Sequence, residues 1–317
     1  MQDLIKVFPF MRYRHPGMIF SVAMMVLSLV VMGVKGFNFG LDFSGGTQLE
    51  LRYEVPPNLD TIRATLEREG FPNNEVVQLG SDRNILVRVQ NEVADDSEAM
   101  EESGETALRV TEILSNAAQG GAELVSSTFV SSQVGDELKE QGGLGMLVAT
   151  IMLMIYIAMR FQFKFAVGAV FSIVHDVIVT LGFISLLEVD VDLNVLASVL
   201  AMIGYSINDT VVVADRIREN FRIMRGTTPE EIIDTAVSQT FVRTLITSIT
   251  TLLVLFALLF FGGQTLYGFS LVMIIGILVG TYSSIYIASS TLLYMNLSQE
   301  DMTPPEQRDK AELDAIP

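Results

Sequence analysis

The chain contains no cysteine. No disulfide therefore supports any part of it, and neither a thiol nucleophile nor a cysteine-ligated metal is available. Histidine is nearly absent, with only His15 and His175. The segment 36–140 has no histidine, no phosphate-cradling glycine loop with a lysine, and no serine in a nucleophile elbow. Without a nucleophile–base pair or a metal constellation, the chain does not read as an enzyme and calls for no cofactor. Cations are scarce, with 20 Lys and Arg against 37 Asp and Glu and a net charge of −17. The one basic stretch, "RIRENFRIMRG" (216–226), reads as an inner-face anchor rather than as a nucleic-acid surface.

What the chain has instead is apolar length. Half of its residues are hydrophobic, and mean hydropathy is +0.44 despite the charge. The two facts agree only if charge is segregated. Residues 17–34, 142–159, 165–187, 193–213, 244–261 and 266–295 are apolar runs, each near or above the ~18–20 residues that cross a bilayer. They predict six transmembrane helices. The first has Lys6, Arg12 and Arg14 upstream and no small-x-small cleavage site, as a retained signal anchor does. Arg160, Lys164, Arg216, Arg218, Arg222, Arg225, Arg308 and Lys310 fall on the same side as the N-terminal cations, so both termini are expected in the cytoplasm. The division is then 1–35 for the N-terminus and first helix, 36–140 for an outer (periplasmic) domain, 141–297 for helices two to six, and 298–317 for an acidic tail.

The outer domain reads as βαββαβ. "GTQLELRYE" (46–54) alternates like a strand, and "LDTIRATLEREGF" (59–71) has helical spacing, with Asp60 as cap and Gly70 as stop. "EVVQLG" and "NILVRV" are strands joined by a turn at Ser81–Asn84; "TALRVTEILSNA" is a second helix and "AELVSSTFVS" a last strand. "DDSEAMEESGE" (95–105) is too polar to bury a face and is expected to be mobile. The order predicts a ferredoxin-like α+β domain between helices one and two. Its acidity suits either an ordinary solvated surface or attraction of basic unfolded segments.

Polar groups inside the apolar runs are the candidates for chemistry. Asp209 lies seven positions before Arg216, roughly 10 Å inside the cytoplasmic interface at ~1.5 Å per residue. Arg243 falls near the inner edge of the next, antiparallel helix. A carboxylate between burial and a permanent cation can load and release a proton; a static ion pair is the alternative. Asp176, beside His175, lies near the midplane, as an interior hydrogen-bonded pair or a second proton stop, and Asn208 is a further candidate. Thr240, Thr244, Thr247, Ser248 and Thr251 share one face with Arg243. With Ser206 they would line a wet path or bond across helices. Gly276 and Gly280, and Gly145 with Ala149, read as close helix contacts.

"GFNFGLDFSGGT" (36–47), "VHDVIVTLG" (174–182), "IGYSINDTVVVADRIRENFR" (203–222) and "VRTLITSITT" (242–251) resemble motifs of the SecD/SecF protein-export family, within the resistance–nodulation–division (RND) superfamily of proton-driven transporters. The resemblance covers nearly the whole chain. It implies an RND-type six-helix half in the bacterial cytoplasmic (inner) membrane, helping preprotein translocation with the proton motive force. It places Asp209 and Arg243 at positions linked to proton movement. Implied partners are SecD, the SecYEG translocon, unfolded preprotein and membrane lipid, with no nucleic acid. The competing readings are a small-molecule exporter of the same superfamily, for which the outer domain offers little pocket, and a non-conducting scaffold.

Overall fold

The computed structural model describes residues 7–72, 74–79, 81–89, 96–117 and 121–302. Lys6, Asp95 and the tail beyond Met302, with Arg308 and Lys310, lie outside them. A 3₁₀ turn (Phe10–Tyr13) leads into α1 (Arg14–Lys35). A short helix α2 (Leu41–Ser44) precedes the outer domain, which runs β1 (Gly46–Tyr53), α3 (Leu59–Arg68), β2 (Asn74–Gln78), β3 (Asn84–Val89), α4 (Asp96–Ala117) and β4 (Ala122–Val130). Then follow α5 (Ser132–Arg160), α6 (Phe163–Leu186), α7 (Leu193–Ile223), α8 (Pro229–Phe261), α9 (Gly263–Ser283), a π-helical turn (Ser284–Ala288) and α10 (Ser289–Tyr294). Six of these spans are long and apolar enough to cross a membrane, the last formed by α9 with its continuation.

The outer sheet is antiparallel in the order β2-β3-β1-β4, the ferredoxin-like arrangement that the alternation predicts. Leu49, Leu51, Val76, Ile85 and Val87 point to one face and close a core with Ile62 and Leu66 of α3 and Val110 and Leu114 of α4. Three expectations are corrected. The cap of α3 is Asn58, whose side chain accepts from the amides of Asp60 and Thr61, rather than Asp60. The acidic stretch expected to be mobile is helical from Asp96 onward, because it is the first half of α4 rather than a separate loop. The second membrane helix also begins at Ser132, so the boundary expected at residue 140 falls inside a continuous helix.

Within the bundle, α6, α7 and the last span form the buried centre, with α1, α5 and α8 around them. Small residues set the spacing. A Cβ on Gly276 would lie 2.0 Å from Met202 Cγ, and one on Gly182 would lie 2.3 Å from Ser28 Cβ, so only glycine lets α9 approach α7 and α6 approach α1 this closely. Gly280 meets Ser206 at 3.1 Å. Gly145 is a correction: it lies on an exposed face of α5 with no neighbour within 4 Å of its added Cβ, because α5 scarcely packs against the other spans.

The outer domain is fastened to the bundle through the α6–α7 loop. Gly40 donates to the carbonyl of Val191 (2.8 Å), Val191 donates to that of Asn38 (2.8 Å), and Leu193 donates to Asp42 Oδ2 (3.0 Å). From the sheet, Arg88 reaches Asp190 of that loop at 2.6 Å and Glu75 of β2 at 2.9 Å, while its Nε donates to Gln48. Burial works against the charge of this guanidinium, and the two carboxylates outweigh it.

Tyr53 is 1% exposed, and its hydroxyl has no hydrogen-bond partner among the described residues. Burial pushes its pKa up to about 12. The unfolded phenol ionises near ~10, so the stability Tyr53 contributes is whole below that pH and lost as pH rises through the folded value. In an alkaline titration of the full chain followed by tyrosinate absorbance, Tyr53→Phe should remove a late-ionising component and soften the alkaline loss of stability. Superimposable titrations of the two proteins would contradict this.

Candidate functional site

The polar centre of the bundle is built from two carboxylates and the hydroxyls that hold them. Asp209 on α7 is 8% exposed and Asp176 on α6 is fully buried. A charged aspartate at a helix centre costs ~2.5–3.5 kcal/mol to insert, so each needs donors from its neighbours. Asp209 Oδ1 accepts from Thr244 of α8 at 2.5 Å, and Oδ2 accepts from Ser284 at 2.6 Å. Asp176 Oδ2 accepts from Ser206 of α7 at 2.5 Å and from Ser283 at 2.8 Å. Its Oδ1 lies 3.0 Å from His175 Nδ1, and Ser172 donates to Ser283 at 2.9 Å.

The two shells interlock. Ser206 and Asp209 are one turn apart on α7, while Ser283 and Ser284 are consecutive where α9 passes into the π-helical turn. Successive helical residues point ~100° apart, so this pair reaches carboxylates on two different helices. The π turn widens the helix at this level, a feature often found at functional sites. A hydroxyl can donate to a carboxylate or accept from a carboxyl proton. The shell of Asp209 can therefore satisfy either protonation state without leaving a buried group unpaired.

The expected residues divide into those the fold gathers and those it does not. Asp209, Thr244, Asp176, His175 and Ser206 come together. Ser248 bonds across helices to Thr281 at 2.9 Å. Thr247 and Thr251 turn their hydroxyls back onto carbonyls of their own helix, which removes them from any cross-helix bonding. Thr240 does the same from a buried position. Asn208 lies on an exposed face of α7. Arg243 is also exposed and, among the described residues, forms no ion pair. Its charge still acts on Asp209 through space. Because Arg243 and Thr244 are consecutive, the turn that aims Thr244 at Asp209 aims Arg243 aside.

Ser283 and Ser172 are site residues that sequence reasoning missed, and Ser284, four positions after Gly280, reads in sequence only as part of the same small-residue packing stripe. The available signal was the serine doublets at 283–284 and 289–290 within an otherwise apolar span.

Comparison with known proteins places this geometry in context. The family model "Protein export membrane protein SecD/SecF, C-terminal" matches residues 109–298, and "SecD/SecF GG Motif" matches residues 30–57. The protein translocase subunit SecF of Pseudomonas aeruginosa is 44% identical over 301 residues, covering 95% of each chain. That of Vibrio alginolyticus is 43% identical, covering 98% of each. A crystal structure of SecDF, a translocon-associated membrane protein from Thermus thermophilus, superposes with a TM-score of 0.79 at 34% identity. That alignment takes in 92% of this chain but 39% of the SecDF chain.

Loss of one hydroxyl should be felt by the carboxylate it serves. Ser284→Ala leaves Asp209 Oδ2 short of its donor, at a cost of about 1–3 kcal/mol. Thermal unfolding of the detergent-solubilised protein should show a lowered midpoint for Ser284→Ala and a near-normal one for Ser284→Thr. An unchanged midpoint for Ser284→Ala would contradict the assignment.

Proposed function

The chain belongs to the SecD/SecF family of protein export membrane proteins, and from that premise we propose that it is the SecF-type half of a complex that uses the proton motive force to assist preprotein translocation. SecD supplies the other half of the bundle, SecYEG is the translocon served, and an unfolded preprotein is the substrate. The exposed Arg243 and Asn208, set at membrane depth, are the groups a second half would cover. The cation distribution supports an orientation with both termini in the cytoplasm and the outer domain in the periplasm.

One observation carries the reading: a nearly buried carboxylate is held by two hydroxyls rather than locked by a cation. A salt bridge would favour the charged form alone. Hydroxyl donors leave Asp209 free to change state, and Arg243 biases that change by approaching or withdrawing, since it cannot itself deprotonate. Asp176 and His175 provide a second polar station one helix away, joined to the first through Ser283–Ser284. One charge crossing 100 mV releases ~2.3 kcal/mol, a bias of roughly fifty-fold in a two-state rearrangement. That is enough to move a docked domain.

Export of a preprotein by membranes carrying the assembled complex, with and without an uncoupler, tests the proposal. Asp209→Asn should assemble normally yet lose the uncoupler-sensitive part of export. Full, uncoupler-sensitive export by Asp209→Asn would leave only a packing role for the carboxylate.

A further inference from the structure

The body of the outer domain is joined to the bundle by two short covalent connections. One is Gly45–Gly46, where both residues have positive φ (69° and 122°), a conformation open chiefly to glycine. The other is Ser131, between β4 and α5. Everything before Gly45 behaves differently from everything after it. Asn38 and Gly40 are stitched to the α6–α7 loop by main-chain bonds and Asp42 by its carboxylate, and Gly135 of α5 sits against the Phe43 carbonyl, where an added Cβ would lie 3.1 Å away. The linker is thus part of the bundle, and the sheet beyond it is carried on a pivot.

Beneath the sheet lies a cavity of about 630 Å³, between its helix-free face (Gln48, Glu50, Arg88) and the bundle top (Asp190, Tyr267, Leu271). Across it, among the described residues, one ion pair ties sheet to bundle: Arg88 to Asp190. The contact is well protected, with side chains 16% and 23% exposed. It is also built to release. Arg88 Nη1 is shared with Glu75, and Nε is held by Gln48, so the guanidinium stays paired when Asp190 leaves. A buried cation stripped of all partners would oppose opening; this one is not stripped. Asp190 stands on the loop joining α6, which carries Asp176, to α7, which carries Asp209.

We propose that Arg88 and Asp190 form a reversible latch that sets the tilt of the outer domain on its Gly45–Gly46 pivot. Relative movement of α6 and α7 shifts the loop, moves Asp190 and frees or recaptures the sheet. Arg88 is a positioning residue: it touches neither proton-carrying group. In its link to proton movement the latch rests on the function proposed above, but its geometry can be tested separately.

The absence of native cysteine in this chain allows, beside a cysteine-free version of its partner half in lipid, unique spin labels at Glu67→Cys on α3 and Phe261→Cys at the outer end of α8. Electron–electron distance measurement should give one narrow distribution for the unaltered latch. Asp190→Asn, which leaves the Arg88–Glu75 pair whole, should broaden it, and Glu75→Gln, which leaves the Asp190 tie whole, should not. Reversing both charges, with Arg88→Glu and Asp190→Arg together, should narrow it again. A narrow distribution for Asp190→Asn, equal broadening by Glu75→Gln, or failure of the reversed pair to restore order would each overturn the latch. Asp190→Asn should also lower export several-fold, and unchanged export would separate the latch from function. Asp209→Asn tests the proton reading alone, since it should stop coupled export while the label-to-label distance stays narrow.

Discussion

A carboxylate inside a membrane bundle must find hydrogen-bond donors, and the rest of this structure follows from how that need is met. Asp176 and Asp209 are served by serine and threonine hydroxyls from α7, α8 and the last span. Short hydroxyl side chains reach only if the helices are close. Gly276 and Gly280 bring the last span against α7, and the π turn after Ser283 gives two consecutive serines two different targets. Close packing, polar satisfaction and the helix irregularity are therefore one arrangement.

Choosing hydroxyls over a cation has a chemical consequence. An arginine in contact would hold Asp209 charged, and a purely apolar shell would hold it neutral. A hydroxyl shell can donate to the charged form and accept from the protonated one, which suits the proton-exchanging role proposed for Asp209. Asp176, with a histidine beside it and no exposure, is the more enclosed of the two. The two carboxylates thus differ in constraint while sharing a pair of adjacent serines.

Much of the architecture was legible in the residues. Bilayer thickness dictates the length of apolar runs, so the six helices fall where hydropathy predicts, and alternation in "NILVRV" places β3 at Asn84–Val89. Asp209 and Asp176 were legible because a carboxylate in an apolar run is rare. The failures have physical causes. Composition marks residues 95–105 as polar but cannot see that 96–105 begin α4. The rotation of one helix against the next is a tertiary property, so residues 243–251 could be assigned to one face without revealing which of them meet α7. Gly145 looks like Gly276 in sequence, but among the described residues no helix of this chain lies against it. The tie between Arg88 and Asp190 spans 102 positions and belongs to two elements with no local pattern in common.

The central claim is that Asp209 gains and loses a proton within its hydroxyl shell. Infrared difference spectra of the lipid-embedded protein and its partner half, recorded across a pH titration, address it directly through the carbonyl stretch of a protonated carboxyl group. A band that comes and goes with pH, vanishes in Asp209→Asn and shifts in frequency in Ser284→Ala is the result expected. A spectrum in which Asp209→Asn removes no pH-dependent carboxyl band would contradict the account.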